Sequence, residues 1–341
     1  MKNNRALNLK NVPVSWGNTA VKYIHEDPLQ YLPIGLFGST VALSGLAIAW
    51  RLSCLLFGVP VLVSILVGIF AWLVFLLLTI SYLYKIIKFP QKVKAELTHP
   101  VTAHFLGTFF ISAVLLSSLV PNYSLTLARI TWLVGTVGGV GFMYVLTARL
   151  FKGALNSLDL VPPILIPGLT VLNAVAAHAS INLGWWSREA DQMLFSIGIV
   201  YVMVFFVIIT YRLVHLQPVT LFFRPTLLLM SAPFEISFLS YISLRTQIDG
   251  FAAVLFYFGL FIFIVLFFGV FGKKMPFMVS WWGACFSMGA LTNAALQYAR
   301  YSHISMVKNL SLILLAALTI LVIITLLRTI NHLFTGRLLK P

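Results

Sequence analysis

Acidic residues are scarce: Asp and Glu number 8 in 341 residues, against 23 Lys and Arg. Charged residues of both signs make up 9% of the chain, where about a quarter is usual for a soluble domain. That deficit excludes a soluble globular protein. Cysteine is almost missing too. Cys54 and Cys285 lie in or beside apolar stretches with no CxxC partner, which excludes a disulfide scaffold and reads as small core residues. There is no HExxH, no paired Cys/His cluster, no GxSxG and no Walker-type string, so no metal, no cofactor and no enzyme activity is expected. The first thirty residues carry Lys2, Arg5, Lys10 and Lys22 without an apolar core and do not read as a signal peptide.

What fills the chain instead is apolar: 60% hydrophobic residues and a mean hydropathy of +0.99. This defines an all-α polytopic membrane protein. The net charge of +15 does not indicate nucleic acid, because basic residues of membrane proteins gather in cytoplasmic loops. Ten apolar segments run over 31–50, 58–86, 101–120, 125–149, 163–184, 191–213, 222–244, 250–272, 277–299 and 305–331. They divide the chain into an extension over 1–30, a membrane domain over 31–335 and a tail over 336–341. Assigning the links alternately to two sides puts 17 Lys and Arg on one side and 6 on the other. The positive-inside rule then places both termini in the cytoplasm of a cell that holds the protein in its inner or plasma membrane.

The segments read as five tandem hairpins with unlike members. Odd segments carry small, polar or helix-disturbing residues; even ones are bulky and bland, such as LFYFGLFIFIVLFF. Bland helices suit lipid, and small, polar-dotted helices suit a crowded interior. Odd helices lining a central path with even helices outside are therefore expected. Pro33, Pro100, Pro167 and Pro233 recur at intervals of 67, 67 and 66 residues, a repeat signal. Pro33, Pro167 and Pro233 are expected to kink their helices and free backbone groups toward the path.

The ninth segment holds the most informative face. Gly283, Phe286, Ala290, Asn293 and Gln297 share one helical stripe, and lipid has no partner for its amides. Asn173, Asn182, Asn293 and Gln297 either line a path or bond helix to helix. Glu235 is an acid set within an apolar span, a functional candidate by default. It reads as a proton-coupling group, as a structural partner of His178 or of a freed backbone amide, or as a residue nearer the membrane surface. His178 reads as packing or as a group sharing a proton with Glu235.

The strings LPIGLFGSTVALSGLAIAW (32–50), KAELTHPV (94–101), IPGLTVLNAVAA (166–177), APFEISFLSY (232–241) and WWGACFSMGALTNA (281–294) together resemble the tellurite-resistance/dicarboxylate transporter family. That family includes bacterial TehA-like channels and the slow-type anion channels of plant guard cells. The resemblance covers about residues 31 to 335. It implies a homotrimer of separate pores, each lined by the five odd helices and blocked midway by a phenylalanine matching Phe286. It also implies small inorganic or organic anions as the partners that pass. Ser287 and Met288 stand where some plant-type members carry a proline, and Glu235 stands where a small apolar residue is expected. The expected function is a gated anion channel. The alternative is a proton-coupled exporter of sulfite, a monocarboxylate, a dicarboxylate or tellurite. An intramembrane enzyme lacks its motifs, and a non-conducting scaffold leaves the small-residue faces unexplained.

Overall fold

A computed structural model describes residues 27–153, 156–181, 183–184, 186, 188–271 and 275–339. Eleven α-helices follow in order: α1 (Phe37–Phe57), α2 (Leu62–Lys88), α3 (Pro90–Thr98), α4 (Gly107–Ser117), α5 (Leu125–Leu150), α6 (Ile166–His178), α7 (Arg188–His215), α8 (Ala232–Arg245), α9 (Gly250–Phe271), α10 (Trp281–Ser302) and α11 (Ser305–Phe334). No strand occurs among the described residues. Among the described residues seven spans are long and apolar enough to cross a membrane, or eight if α3 and the segment Thr102–Ser117, bent by 110°, count as one.

Several apolar segments are not uniform α-helices. Ile34–Leu36, Thr102–Leu106, Pro162–Leu165 and Leu221–Met230 are 3-10 stretches that lead into α1, α4, α6 and α8. Proline sets these junctions. Pro33 caps the first stretch, Pro162 and Pro163 open the third, Pro225 lies inside the fourth, and Pro167 and Pro233 occupy the first turns of α6 and α8. A proline in a first turn removes no helical hydrogen bond. So Pro167 and Pro233 mark passages from 3-10 to α and Pro33 the entry into the first 3-10 stretch, and none of the three bends an α-helix from within. As a result α4 and α6 are only 11 and 13 residues long. The amphipathic α3 was absent from the apolar segmentation because it is polar, as PQKVKAELT.

Burial separates two classes of helix. The spans holding α1 and α8 are 61% and 72% buried within the protein, whereas α2, α5, α7, α9 and α11 range from 22% to 39%. Leu77, Ile80, Val137, Val207, Phe268 and Leu327 on these outer helices are more than half exposed, as a lipid-facing surface requires. The chain-order neighbours α1 and α2, α4 and α5, α6 and α7, α8 and α9, and α10 and α11 pack together. The helices α1, α4, α6, α8 and α10 also touch in a closed ring, each on the next and α10 back on α1.

Two devices hold these helices close where hydrophobic burial gains little against lipid. One is steric. A Cβ on Gly139 of α5 would meet Thr170 Cγ2 of α6 at 2.5 Å, and one on Gly168 of α6 would meet Tyr201 Cδ1 of α7 at 2.6 Å. The other is polar. The Thr40 and Ser112 hydroxyls bond across α1 and α4. Ser240 Oγ donates to Leu172 O across α8 and α6 at 2.7 Å, and Asn293 Nδ2 donates to Gly45 O across α10 and α1 at 3.0 Å. Each such bond contributes about 0.6–2 kcal/mol.

Candidate functional site

Two cavities lie within the ring and a third adjoins them below the first turns of its helices. The upper one, about 300 Å³, lies toward the C-terminal ends of the ring helices and takes lining residues from or just beyond all five, including Gly45, Leu115, Asn173, Ile236 and Asn293. The lower one, also about 300 Å³, lies where these helices begin, with Gly35, Glu96, Phe105, Phe277, Val279 and Arg337 in its wall. A pocket of about 20 Å³ lies between them. Phe286 and Val41 line both the upper cavity and the small pocket. Gly35, Phe105 and Val279 line both the small pocket and the lower cavity.

Phe286 therefore stands at the upper divide. It is 7% exposed and belongs to a cluster that draws Val41 from α1, Ile111 from α4, Ile166 from α6 and Ile236 from α8. Every ring helix contributes to this apolar collar. Helical spacing puts Phe286 below Ala290, Asn293 and Gln297 on α10, and the last three all face the upper cavity. Phe105 forms the lower divide, which sequence reasoning missed. Its ring stacks on Phe223 with centroids 6.5 Å apart and planes at 16°. A single aromatic in FLGTFF carries no sign of a special role; only the 3-10 turn before α4 aims it inward.

The amides resolve individually. Asn173 lines the upper cavity while its Nδ2 donates to Leu169 O at 2.8 Å. Asn293 lines the cavity and also bonds helix to helix, with Nδ2 donating to Gly45 O and Gly289 O. Gln297 lines the cavity nearer its mouth. Asn182 lies outside the described residues.

His178 and Glu235 are not partners. His178 Nδ1 bonds Asp191 Oδ2 at 2.8 Å, and Trp186 Nε1 donates to Asp191 Oδ1 at 2.8 Å. The His178 ring packs against Trp132 and Trp186, with centroids 5.1 and 6.2 Å away, and the two indoles touch each other at 5.0 Å. This cluster joins α5, α6 and α7 and lines none of the three cavities. The expected link to Glu235 fails because Asp191, at the start of α7, is the carboxylate that the α6–α7 turn brings to the imidazole. Glu235 is fully buried, on the α8 face toward α9, where Gly259 makes room for its Cγ. Neither carboxyl oxygen has a hydrogen-bond partner, and the Ser231 hydroxyl one turn away donates instead to Leu228 O. The next residue, Ile236, faces the cavity; Glu235 does not.

The basic residues at the cavities also escaped the sequence pattern. Arg51 on α1 and Arg300 on α10 line the upper cavity, where charge counting had treated them only as loop charges. At the lower cavity Lys85, 1% exposed, donates to Glu96 Oε1 at 2.6 Å and Leu32 O at 2.8 Å, and Tyr82 donates to Glu96 Oε2 at 2.8 Å. This network neutralises the acid in that wall. Among the described residues no group of His, Cys, Asp and Glu could hold a metal ion.

Small-residue helices closed into a ring, cavities in line, an apolar collar and basic mouths define a membrane protein of the anion channel and transporter class. The family model described as SLAC1, voltage-dependent anion channel, matches residues 31–330, and the chain belongs to this SLAC1/TehA family. It is 24% identical over 315 residues to the tellurite resistance protein TehA homolog of Haemophilus influenzae, covering 90% of this chain and 92% of that protein. It is 26% identical over 318 residues to the S-type anion channel SLAH3 of Arabidopsis thaliana, covering 91% of this chain and 49% of that one. The guard cell S-type anion channel SLAC1 of the same plant is 25% identical over 324 residues, covering 91% and 57%. The chain thus spans about half the length of these two plant relatives.

Proposed function

We propose that the protein is an anion channel in which α1, α4, α6, α8 and α10 line the path, α2, α5, α7, α9 and α11 enclose it, and Phe286 is the gate. The ten helices are then ten spans in five hairpins, the short α4 and α6 being completed by their 3-10 stretches. The observation that carries this reading is the position of Phe286 between the upper cavity and the small pocket. An aromatic ring across an apolar collar blocks ions sterically and by dewetting. The charge bias supports a lower cavity open to the cytoplasm. Three copies, each with its own path, are proposed from the family resemblance. The test is anion flux in liposomes: Phe286→Ala is expected to conduct where the parent protein is nearly closed, and equal flux refutes the gate.

A second reading, proton-coupled export of sulfite, a carboxylate or tellurite, is favoured by one observation, the fully buried Glu235 on α8 with no hydrogen-bond partner for its carboxyl oxygens. Coupling requires that this carboxyl gain and lose a proton. Glu235→Gln abolishes pH-driven transport under that reading and leaves channel current intact under the first.

A further inference from the structure

We propose that a groove between α2 and the α4–α5 link holds one anionic phospholipid, with its phosphate on Arg51 and an acyl chain along α2. This lateral site is separate from the path and does not depend on the channel reading above. The groove measures about 290 Å³ and is walled by Ile65, Ile69 and Trp72 of α2, Leu119 of the link and Arg51 of α1. Val61 and Ile69 in its wall are 52% and 54% exposed. It therefore opens sideways, toward lipid, on a helix of the outer layer.

Length and charge identify the occupant. From Val61 to Trp72 the wall runs about 16 Å along α2, close to half of a hydrocarbon core about 30 Å thick. The chain of a lipid in one leaflet matches that depth. The two ends differ. Ser64 Oγ donates to Ala47 O at 2.8 Å, and α1 packs antiparallel to α2 across the short link between them. Arg51, one turn beyond Ala47, thus sits at the upper end of the groove and Trp72 at the deep end. Arg51 Nη1 donates to Ser118 O at 2.5 Å, which holds the guanidinium in the wall and leaves its other N–H groups for a ligand. Arg51 belongs to neither ion pair found among the described residues, and no described Asp or Glu lines the groove. A cation in a span without a counter-ion calls for an anion. A phosphodiester offers two oxygens to the guanidinium fork. The ammonium of a zwitterionic headgroup finds no carboxylate here, so an anionic headgroup is preferred. Topology does not account for Arg51, which is one of the 6 basic residues on the side that the charge bias leaves poor. Arg51 also lines the upper cavity, so the lipid phosphate lies at the wall of that cavity.

The test uses the purified protein in mixed micelles containing chain-brominated phosphatidylglycerol or phosphatidylcholine, whose bromines quench indole emission on contact. The protein has 8 Trp, so the share of Trp72 is read as the difference between the parent and Trp72→Phe. Half-quenching of that share is expected at about fivefold lower mole fraction of phosphatidylglycerol than of phosphatidylcholine. Arg51→Gln should bring the two midpoints together. A Cβ on Gly68 would meet Leu119 Cδ1 at 3.6 Å, an ordinary contact. Gly68→Leu therefore fills the groove while leaving Arg51 in place, and should also remove the preference; Tm checks that each variant is folded. Equal midpoints in the parent, or an unchanged preference in either folded variant, overturns the site. So does an absence of Trp72 quenching by either lipid, the result if a second copy covers the groove. Excess inorganic phosphate at constant ionic strength should leave the preference in place, because the acyl chain supplies part of the binding. Loss of the preference under phosphate marks a free-anion site and overturns the lipid assignment.

Discussion

Replacing Phe286 by alanine removes a ring that separates two spaces rather than one that fills a closed core. In a sealed interior Phe→Ala costs about 3–5 kcal/mol. Here the upper cavity of about 300 Å³ and the pocket of about 20 Å³ lie on either side, so the vacated space joins existing open volume. The loss of stability is expected at or below about 3 kcal/mol. The gain in conduction follows from what opening requires of the intact ring. Swinging an aromatic off its rotamer costs about 0.5–1.5 kcal/mol. Withdrawing it from the collar of Val41, Ile111, Ile166 and Ile236 forfeits about 1.5–3 kcal/mol of apolar burial. A total of about 2–4.5 kcal/mol corresponds to roughly 30- to 1,600-fold in flux, at tenfold per 1.4 kcal/mol. The assay is anion efflux from liposomes at matched protein content, with Tm measured on the same preparation. A folded variant whose flux stays within threefold of the parent refutes the gate and the energetic reasoning behind it.

Four further outcomes are expected. Phe105→Ala should add little alone, because the proposed gate at Phe286 stays in place, but should raise the flux of Phe286→Ala several-fold; additive small effects in both backgrounds would remove Phe105 from the path. Asp191→Asn disturbs the bonds to His178 and Trp186 and should lower stability by about 1–3 kcal/mol without changing flux, as the cluster lines no cavity; a selective loss of flux at normal Tm would contradict this. Glu96→Ala leaves the buried Lys85 ammonium without its carboxylate and should destabilise the protein by about 3 kcal/mol, with Glu96→Ala/Lys85→Met recovering much of it in thermal melts. Glu235→Gln replaces an unpartnered acid with a neutral isostere, so Tm should hold or rise and anion flux at two pH values should match the parent; loss of pH dependence would restore the coupling role.

Periodicity and polarity were enough to single out α10 and its inward stripe, because a face with Gly283, Phe286, Asn293 and Gln297 has no stable place against lipid. The same reasoning set apart the small-residue segments that hold α1, α6 and α8, and these helices are largely buried. It failed where a choice among partners was needed. His178 faced two carboxylates in principle, and the turn between α6 and α7 chose Asp191. Phe105 is one of 28 phenylalanines, and nothing in its local string separates it from those that face lipid. Arg51 and Arg300 were legible as charges near helix ends, but not as neighbours in one cavity, since they lie 249 positions apart along the chain.

By itself, then, the amino-acid order determined the membrane class, the all-helical fold and the small, polar-dotted character of the helix that carries Phe286. These depend on hydropathy and short-range spacing, which each segment carries without reference to the others. Tertiary structure alone decided the closed ring, the three cavities, the second constriction at Phe105, the isolation of Glu235 and the pairing of His178 with Asp191. Each of these depends on how helices rotate and pack against one another. A rotation of one residue's angular step carries a side chain from cavity to helix interface, as Glu235 and Ile236 show.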